Sequence, residues 1–269
     1  MLVLIFFVVS LFASSIGAVF GIGGGVIIKP ILDSLNIMEV TKISFLSSCT
    51  VLSMSLYTFI NSKLSKKSLV DTKIATPFAL GAVLGGLIGK ILFSYTIHFF
   101  NNQNIAGIIQ SSILIILLIF TVIFTIKNMS KNKIKPMHIN NIFLSAIIGM
   151  ILGLLSSYLG IGGGPFNIAF LYIFFAMDNK TAAENSLYII LFSQISSVLT
   201  TLIKNEIQNI NIYILIVMII GGIGGGIIGR KISKKLNSSS FDKIFIIILI
   251  LIIFISIYNL YVFTSKLSI

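Results

Sequence analysis

The chain has 269 residues, 57% of them hydrophobic and only 10% charged, with a mean hydropathy of +1.09. Uncharged apolar stretches recur along its whole length, which excludes a soluble domain, because a protein of this size could not hide so much apolar surface. Its 19 Lys and Arg against 7 Asp and Glu, net +12, would direct a soluble protein to nucleic acid. Here most cations fall between apolar runs, where they orient a membrane chain and meet anionic lipid headgroups, so membrane lipid is the expected partner and nucleic acid is not.

Taken in chain order, apolar runs between charges occupy residues 2–20, 43–60, 74–95, 105–126, 139–159, 182–203, 210–229 and 244–263. Each is roughly 16 to 22 residues, close to the ~20 that cross the hydrocarbon core as a helix. The first lacks a basic n-region and an A-x-A-like cleavage site, so it reads as a retained span rather than a signal peptide. Two shorter runs, residues 26–35 and 166–177, reach only ~15 to 18 Å at 1.5 Å per residue. They are half-helices, and each directly follows the sequence GIGGG, at residues 21–25 and 160–164.

The two halves repeat each other. At an offset of 139, Gly21 to Gly25 matches Gly160 to Gly164, Leu32 matches Leu171, Met38 matches Met177 and Ser47 matches Ser186. One residue later in register, Gly81, Gly85, Gly89 and Lys90 match Gly221, Gly225, Gly229 and Arg230. The expected organisation is a first transmembrane repeat over 1–127, a polar basic linker over 128–138 and a second repeat over 139–269. Duplicated halves with interrupted apolar segments at corresponding positions are the sequence pointer to a secondary transporter's binding site.

Charge bears on how the repeats are oriented. If the half-helices only dip in and return, the repeats are parallel and the cations divide almost evenly. If each break and half-helix completes a crossing, the second repeat is inverted, and fourteen of the 19 cations share one side, leaving five on the other. The positive-inside rule favours the inverted arrangement with both termini outside. The fold expected is therefore all-α and polytopic, each repeat carrying four full spans plus a glycine-broken half-helix.

Glycine serves two purposes in this pattern. Gly81, Gly85, Gly89 and Gly221, Gly225, Gly229 recur every four residues along one helix face, which is small-xxx-small packing. Gly21, Gly23, Gly24, Gly25 and Gly160, Gly162, Gly163, Gly164 are clustered instead, and four glycines in five residues cost a helix up to ~1 kcal/mol each, which predicts a break. Pro165, at a first-turn position, and Pro30, near the start of its half-helix, support it. Neither cluster completes a dinucleotide or phosphate-loop motif. A helix N-terminus nevertheless attracts anions, and unwound backbone in a membrane must line a cavity or be buried in protein. Two breaks meeting at the centre would offer amide donors to a small anion. Beside them stand Ser44, Ser47, Ser48 and Thr50 in one repeat, and Asn167, Asn185, Ser186, Ser193 and Gln194 in the other. Ser and Thr commonly glue membrane helices; Ser47 and Ser186 stand out because the repeat matches them.

Charged residues inside spans are the other candidates. Lys29 offers a positive charge to an anion, or snorkels to the interface; the sequence leaves both open. Glu184 begins a span, as a coupling-proton carrier or as a first-turn carboxylate favoured by the helix dipole. Asp33, Glu39, Asp178 and Lys180 read as segment-end charges at water. The single Cys49 leaves no disulfide or thiolate cluster, and His98 and His138 lie at segment ends, so neither a cofactor nor a metal is expected.

The doubled pattern, a G-x-G-G-G cluster with a proline after it and then a helix opening with A-x-x-x-S, resembles the TauE/SafE sulfite exporter family of membrane permeases. The first copy is GIGGGVIIKPIL with ISFLS at 43–47, the second GIGGGPFNIAFL with AAENS at 182–186. The resemblance covers essentially the whole chain. It departs at Ala169, where a proline is displaced to Pro165, at Lys29, usually apolar, and at Ile43, usually alanine. It implies a multi-span permease exporting a small anion such as sulfite, a sulfonate or a related organic anion. No ATP-binding motif is present, so the reading is secondary transport by alternating access around the paired breaks. The substrate-binding set expected is Gly21, Gly23, Gly24, Gly25, Lys29, Pro30, Ser47, Gly160, Gly162, Gly163, Gly164, Pro165, Asn167, Asn185 and Ser186. A lipid-modifying membrane enzyme is the alternative from another class, but the only Arg is Arg230 and the carboxylates are scattered. An anion channel is a further alternative, and a homodimer is left open.

Overall fold

In the computed structural model, residues 2–64, 69–129, 135–139, 141–204 and 210–267 are described. Among them the chain is all-helical: α1 (Leu2–Phe20), α2 (Gly25–Leu35), α3 (Val40–Leu64), α4 (Thr72–Phe100), α5 (Gln103–Met129), α6 (Ile142–Tyr158), α7 (Pro165–Phe175), α8 (Asn179–Ile203), α9 (Ile212–Ser233) and α10 (Ser238–Ser265). Seven of these are long and apolar enough to cross a membrane, namely α1, α3, α4, α5, α8, α9 and α10. The chain is a multi-pass membrane protein. Its polarity follows from that solvent: Leu251, Phe254 and Tyr261 on α10 and Ile116 and Ile123 on α5 are exposed, whereas Ser10, Ser44, Ser47, Thr50 and Gln194 are buried.

Short side chains set the helix ends. Asp71, Asn141, Asp178 and Asn211 each cap the helix that follows by accepting a backbone N–H two residues on, and Asn36, Asn101 and Ala176 close α2, α4 and α7 in the left-handed conformation. Asp178 is thus a cap at the start of α8, in keeping with its reading as a segment-end charge. The linker begins later than its composition suggests, since α5 runs on to Met129. Beyond residues 130–134, which lie outside the described residues, it docks on α7: the amides of Met137 and Ile139 donate to the carbonyls of Ile173 and Phe174, both at 2.7 Å.

The period-four glycines bring the two halves together. An alanine methyl at Gly81 or Gly85 would lie 2.8 or 2.7 Å from the carbonyl carbon of Ala146 or Met150, and one at Gly89 3.0 Å from that of Leu154. Reading 81, 85, 89 against 146, 150, 154, α4 of the first half runs parallel to α6 of the second at backbone contact. Similarly Gly225 faces Leu11 and Ser14, and Gly229 faces Ser15 and Ala18, so α9 runs parallel to α1. Helix α3 also lies parallel to α9, with Thr50 at Gly222, Met54 at Gly226 and the Thr58 carbonyl accepting from Arg230. Helix packing is therefore the use of these six glycines.

Candidate functional site

Both glycine clusters break the chain, whereas the same GIGGG at 222–226 stays helical inside α9. Helix α1 stops at Phe20 and α2 starts at Gly25; α6 stops at Tyr158 and α7 starts at Pro165. Gly21 and Gly23, and Gly160, Gly162 and Gly163, all have positive φ, the region L side chains avoid. The first break folds back on its own helix, since a methyl on Gly17 would meet the carbonyl carbon of Gly23 at 2.7 Å. Helix α2 thus starts beside the last turns of α1 and returns along it. Neither Gly24 nor Gly164 is followed by a side-chain cap on its helix, so the N-terminal amides of α2 and α7 are not claimed by a capping side chain.

The two breaks touch. A methyl on Gly25 would lie 2.6 Å from the carbonyl carbon of Ile161, and one on Gly23 would lie 3.5 Å from the Gly162 carbonyl oxygen. Side chains of α3 and α8 close around the crossing. Ser47 Oγ lies 2.8 Å from the methyl position of Gly25, Ser44 Cβ 2.8 Å from that of Gly160, and Val51 and Gln194 each 2.9 Å from that of Gly162. Ser14, on α1, faces Gly24 at 3.0 Å. The hydroxyls of Ser14, Ser44 and Ser47 and both amide atoms of Gln194 are buried without a hydrogen-bond partner; the equally unpartnered Ser193 hydroxyl has no contact with the breaks, its backbone carbonyl lying against Gly86 of α4. Buried polar atoms normally find partners. A cluster of unpaired donors and acceptors at a backbone crossing is what a small polar ligand would complete.

The other expected site residues are dispersed. Asn167, in the first turn of α7, donates to Ser186 Oγ at 3.4 Å while its Oδ1 is unpartnered. Pro165 is the first residue of α7. Asn185 does not reach the crossing: it accepts from Asp71 N at 3.1 Å and donates to the carbonyls of Leu69 and Thr181, tying α8 to the start of α4. Glu184 accepts from Ser62 Oγ and Leu69 N, both at 3.0 Å. Lys29 neither reaches the crossing nor snorkels. It is buried at 3% exposure and pairs at 2.6 Å with Asp33, itself 7% exposed. Asp33 is therefore not a segment-end charge at water, because α2 is turned so that both residues face α5 and α10. Pro30 contributes its carbonyl to Asn259 Nδ2 at 2.8 Å. Ser14 and Gly17, outside the expected set, lie against Gly24 and Gly23; their sequence signal is faint, small residues near the end of an apolar span. Gln194, outside the expected set, lies at the crossing beside Gly162.

Two cavities lie at opposite ends of the helix bundle. One, of about 490 Å³, is lined by Asn36 to Val40, Lys42, Gln103, Asn211 and Ile214 among others. The second, of about 410 Å³, is lined by Ala18, Thr58, Lys180, Glu184, Arg230 and Lys234 among others. Helix α9 contributes its first turn to one and its last turn to the other, about 30 Å apart at 1.5 Å per residue. The crossing lies between them, where α3 carries Ser44, Ser47 and Val51.

Residues 6–255 match the sulfite exporter TauE/SafE family. The chain belongs to that family. Among curated proteins, it is similar to the probable membrane transporter protein YunE of Bacillus subtilis (strain 168), with 25% identity over 228 residues, 74% of this chain and 78% of the relative. No solved structure matches. Membership makes this a protein of a membrane-transporter family, which moves the enzyme alternative aside.

Proposed function

We propose that this TauE/SafE member is a secondary carrier of a small anion, sulfite, a sulfonate or a related organic anion, bound where the two GIGGG breaks cross. The observation that carries the reading is the crossing itself: two uncapped half-helix N-termini and a ring of unpartnered hydroxyl and amide groups, set between cavities at opposite ends. Helix N-termini carry partial positive charge, and amide N–H groups donate to oxyanions without fixing a full charge in the membrane.

The repeats are inverted in this reading. Parallel packing of α3 with α9 supports it, because the two would be antiparallel if the half-helices made no crossing, as does the fold-back at the first break, which makes α2 a second pass of the first half. The end holding Lys180, Arg230 and Lys234 is then cytoplasmic by the positive-inside rule, and the second cavity is the cytoplasmic vestibule. Alternating access moves the two halves about the crossing so that one vestibule, then the other, reaches the anion. Efflux from liposomes loaded with sulfite, sulfate, thiosulfate, a sulfonate or a carboxylate tests it. Saturable efflux of one or more of these, weakened by Ser47→Ala and Gln194→Leu, is expected. Flux that never saturates would instead mark a channel, and a lack of flux for the whole panel would overturn the reading.

A further inference from the structure

The crossing holds a polar side chain that the duplication does not copy. Gln194 of α8 is fully buried, and its carboxamide carbon and oxygen lie 2.9 and 3.1 Å from the methyl position of Gly162. At the repeat offset its counterpart is Ser55, whose hydroxyl donates to the Leu52 carbonyl at 3.1 Å. Gln194 has no such engagement: neither its nitrogen nor its oxygen is bonded among the described residues. Turning the amide over exchanges the two atoms, and in either orientation it presents one donor and one acceptor beside Gly162.

The rest of the crossing is supplied with donors. The first amides of α2 and α7 can only donate, and the hydroxyls of Ser14, Ser44 and Ser47 take either role. These groups serve the bare oxygens of an anion. The Gln194 carbonyl does the opposite. Set against a bare oxyanion it is repelled, and left without a donor it keeps the full penalty of its desolvation. Both ends of the amide are satisfied by an ion that offers an O–H to the carbonyl and a second oxygen to the N–H, which closes a pair of parallel hydrogen bonds.

Charge points the same way. The side chains nearest the glycines of both breaks are hydroxyl, amide or apolar. Charged and titratable groups of the surrounding helices are engaged elsewhere. Lys29 pairs with Asp33 at 2.6 Å, and the Lys90 ammonium on α4 lies 5.1 Å from the centre of the Phe93 ring. Cys49 on α3 packs with Phe45 and Val198, and Glu184, about three turns before Gln194 on α8, accepts from Ser62 and Leu69. None of these groups fixes a positive charge at the crossing, so a second negative charge on the ligand would lose hydration with nothing to replace it.

We propose that the crossing selects a singly charged oxyanion that carries a hydroxyl, and that Gln194 reads the hydroxyl, its carbonyl accepting the O–H while its nitrogen donates to another oxygen of the same ion. Dianions such as sulfate are rejected, and so are monoanions without an O–H such as methanesulfonate. The inference rests on the transport reading and narrows it to one protonation state of the anion. The proton that matters is the ligand's own, so selection of hydrogensulfite fades as pH rises through the ionisation of that ion, without any side chain titrating.

The test is efflux of sulfite, selenite, methanesulfonate and sulfate from liposomes holding the full-length protein, with equal pH on both sides and protein-free liposomes subtracted. Selenite resembles sulfite in shape and charge but keeps its hydroxyl to a more alkaline pH. At neutral pH the wild type should release sulfite and selenite at least about tenfold faster than methanesulfonate or sulfate, the effect of one buried acceptor left unpaired. Raising the pH should slow sulfite by up to about tenfold per unit once hydrogensulfite ionises, and selenite should follow only at the higher pH of its own ionisation. Gln194→Leu should slow sulfite about tenfold and narrow its lead over methanesulfonate to about threefold or less. Methanesulfonate or sulfate released as fast as sulfite, or a Gln194→Leu variant that keeps the full preference, overturns the proposal. A fall of sulfite and selenite at one common pH also overturns it, because a group of the protein would then be titrating. The wild-type comparisons decide the matter if Gln194→Leu does not fold. Each of these results leaves the carrier reading standing, whereas a lack of flux for every anion overturns that reading and this one together.

Discussion

Gly25→Ala is the sharpest test of the crossed breaks. Residue 25 opens α2, where alanine should gain up to about 1 kcal/mol by helix propensity. Its methyl, however, would sit 2.6 Å from the Ile161 carbonyl carbon and 2.8 Å from Ser47 Oγ, where carbon atoms rest at about 3.5 to 4.0 Å. Relief requires the two breaks to part by about 1 Å. Overpacking of this kind costs about 1–3 kcal/mol, so after the propensity gain the net loss of stability is modest, about 0–2 kcal/mol. Function should suffer more, because a misplacement of about 1 Å at a binding constellation can cost about a hundredfold.

The neighbouring Gly24→Ala supplies the control. Its backbone is helical, with φ −62°, and the new methyl meets Ser14 at 3.0 Å, a contact that a shift of a few tenths of an ångström relieves. Initial efflux rates from liposomes at matched protein density should fall about ten- to a hundredfold for Gly25→Ala and less than about threefold for Gly24→Ala, under about 0.7 kcal/mol. Thermal stability in detergent, followed by size exclusion, should separate the two far less than transport does. Wild-type efflux by Gly25→Ala, or equal losses in both variants, would refute the claim that the breaks form the site by contact with each other.

Ser47→Ala and Gln194→Leu remove buried polar atoms that have no partner, so melting temperature should hold or rise; anion efflux should nevertheless drop about tenfold, the worth of one hydrogen bond. Gly85→Leu pushes into Met150 across the α4–α6 contact, and the expected result is loss of monodisperse protein rather than a changed anion preference, read by size exclusion. Asn185→Leu breaks the tie between α8 and the start of α4 and should cost about 1–3 kcal/mol, with the order of anions in the liposome panel unchanged.

Helix number was readable because a membrane solvent leaves one solution for each long apolar run. The ends were not, since α4 runs on to Phe100 and α10 starts at Ser238. Nor does clustered glycine alone make a break, for the GIGGG at 222–226 stays helical inside α9. The use of the period-four glycines was readable for a related reason: an i, i+4 spacing defines a face before its partner is known. Facing direction within short segments was not. In α2 the sequence GVIIKPILDSL places Lys29 and Asp33 one turn apart, and nothing local tells whether that stripe turns to the crossing, to lipid or to α5. Only the packing of α10, hundreds of residues away in sequence, settles it through Asn259 on the Pro30 carbonyl. Gln194 was undervalued for the same reason, since an amide in a span reads as interhelical glue until its neighbours are found not to bond it.

The duplication bears on how a ligand at the crossing would be released. A crossing built from two copies of GIGGG is matched on both sides, which suits a substrate that must leave to either vestibule with similar ease. The Lys29–Asp33 pair is not copied, since Ile168 and Tyr172 stand opposite it. Buried and paired at 2.6 Å, it fixes which face of the first half-helix turns to α5 and α10, a choice that the apolar second half-helix makes by packing alone.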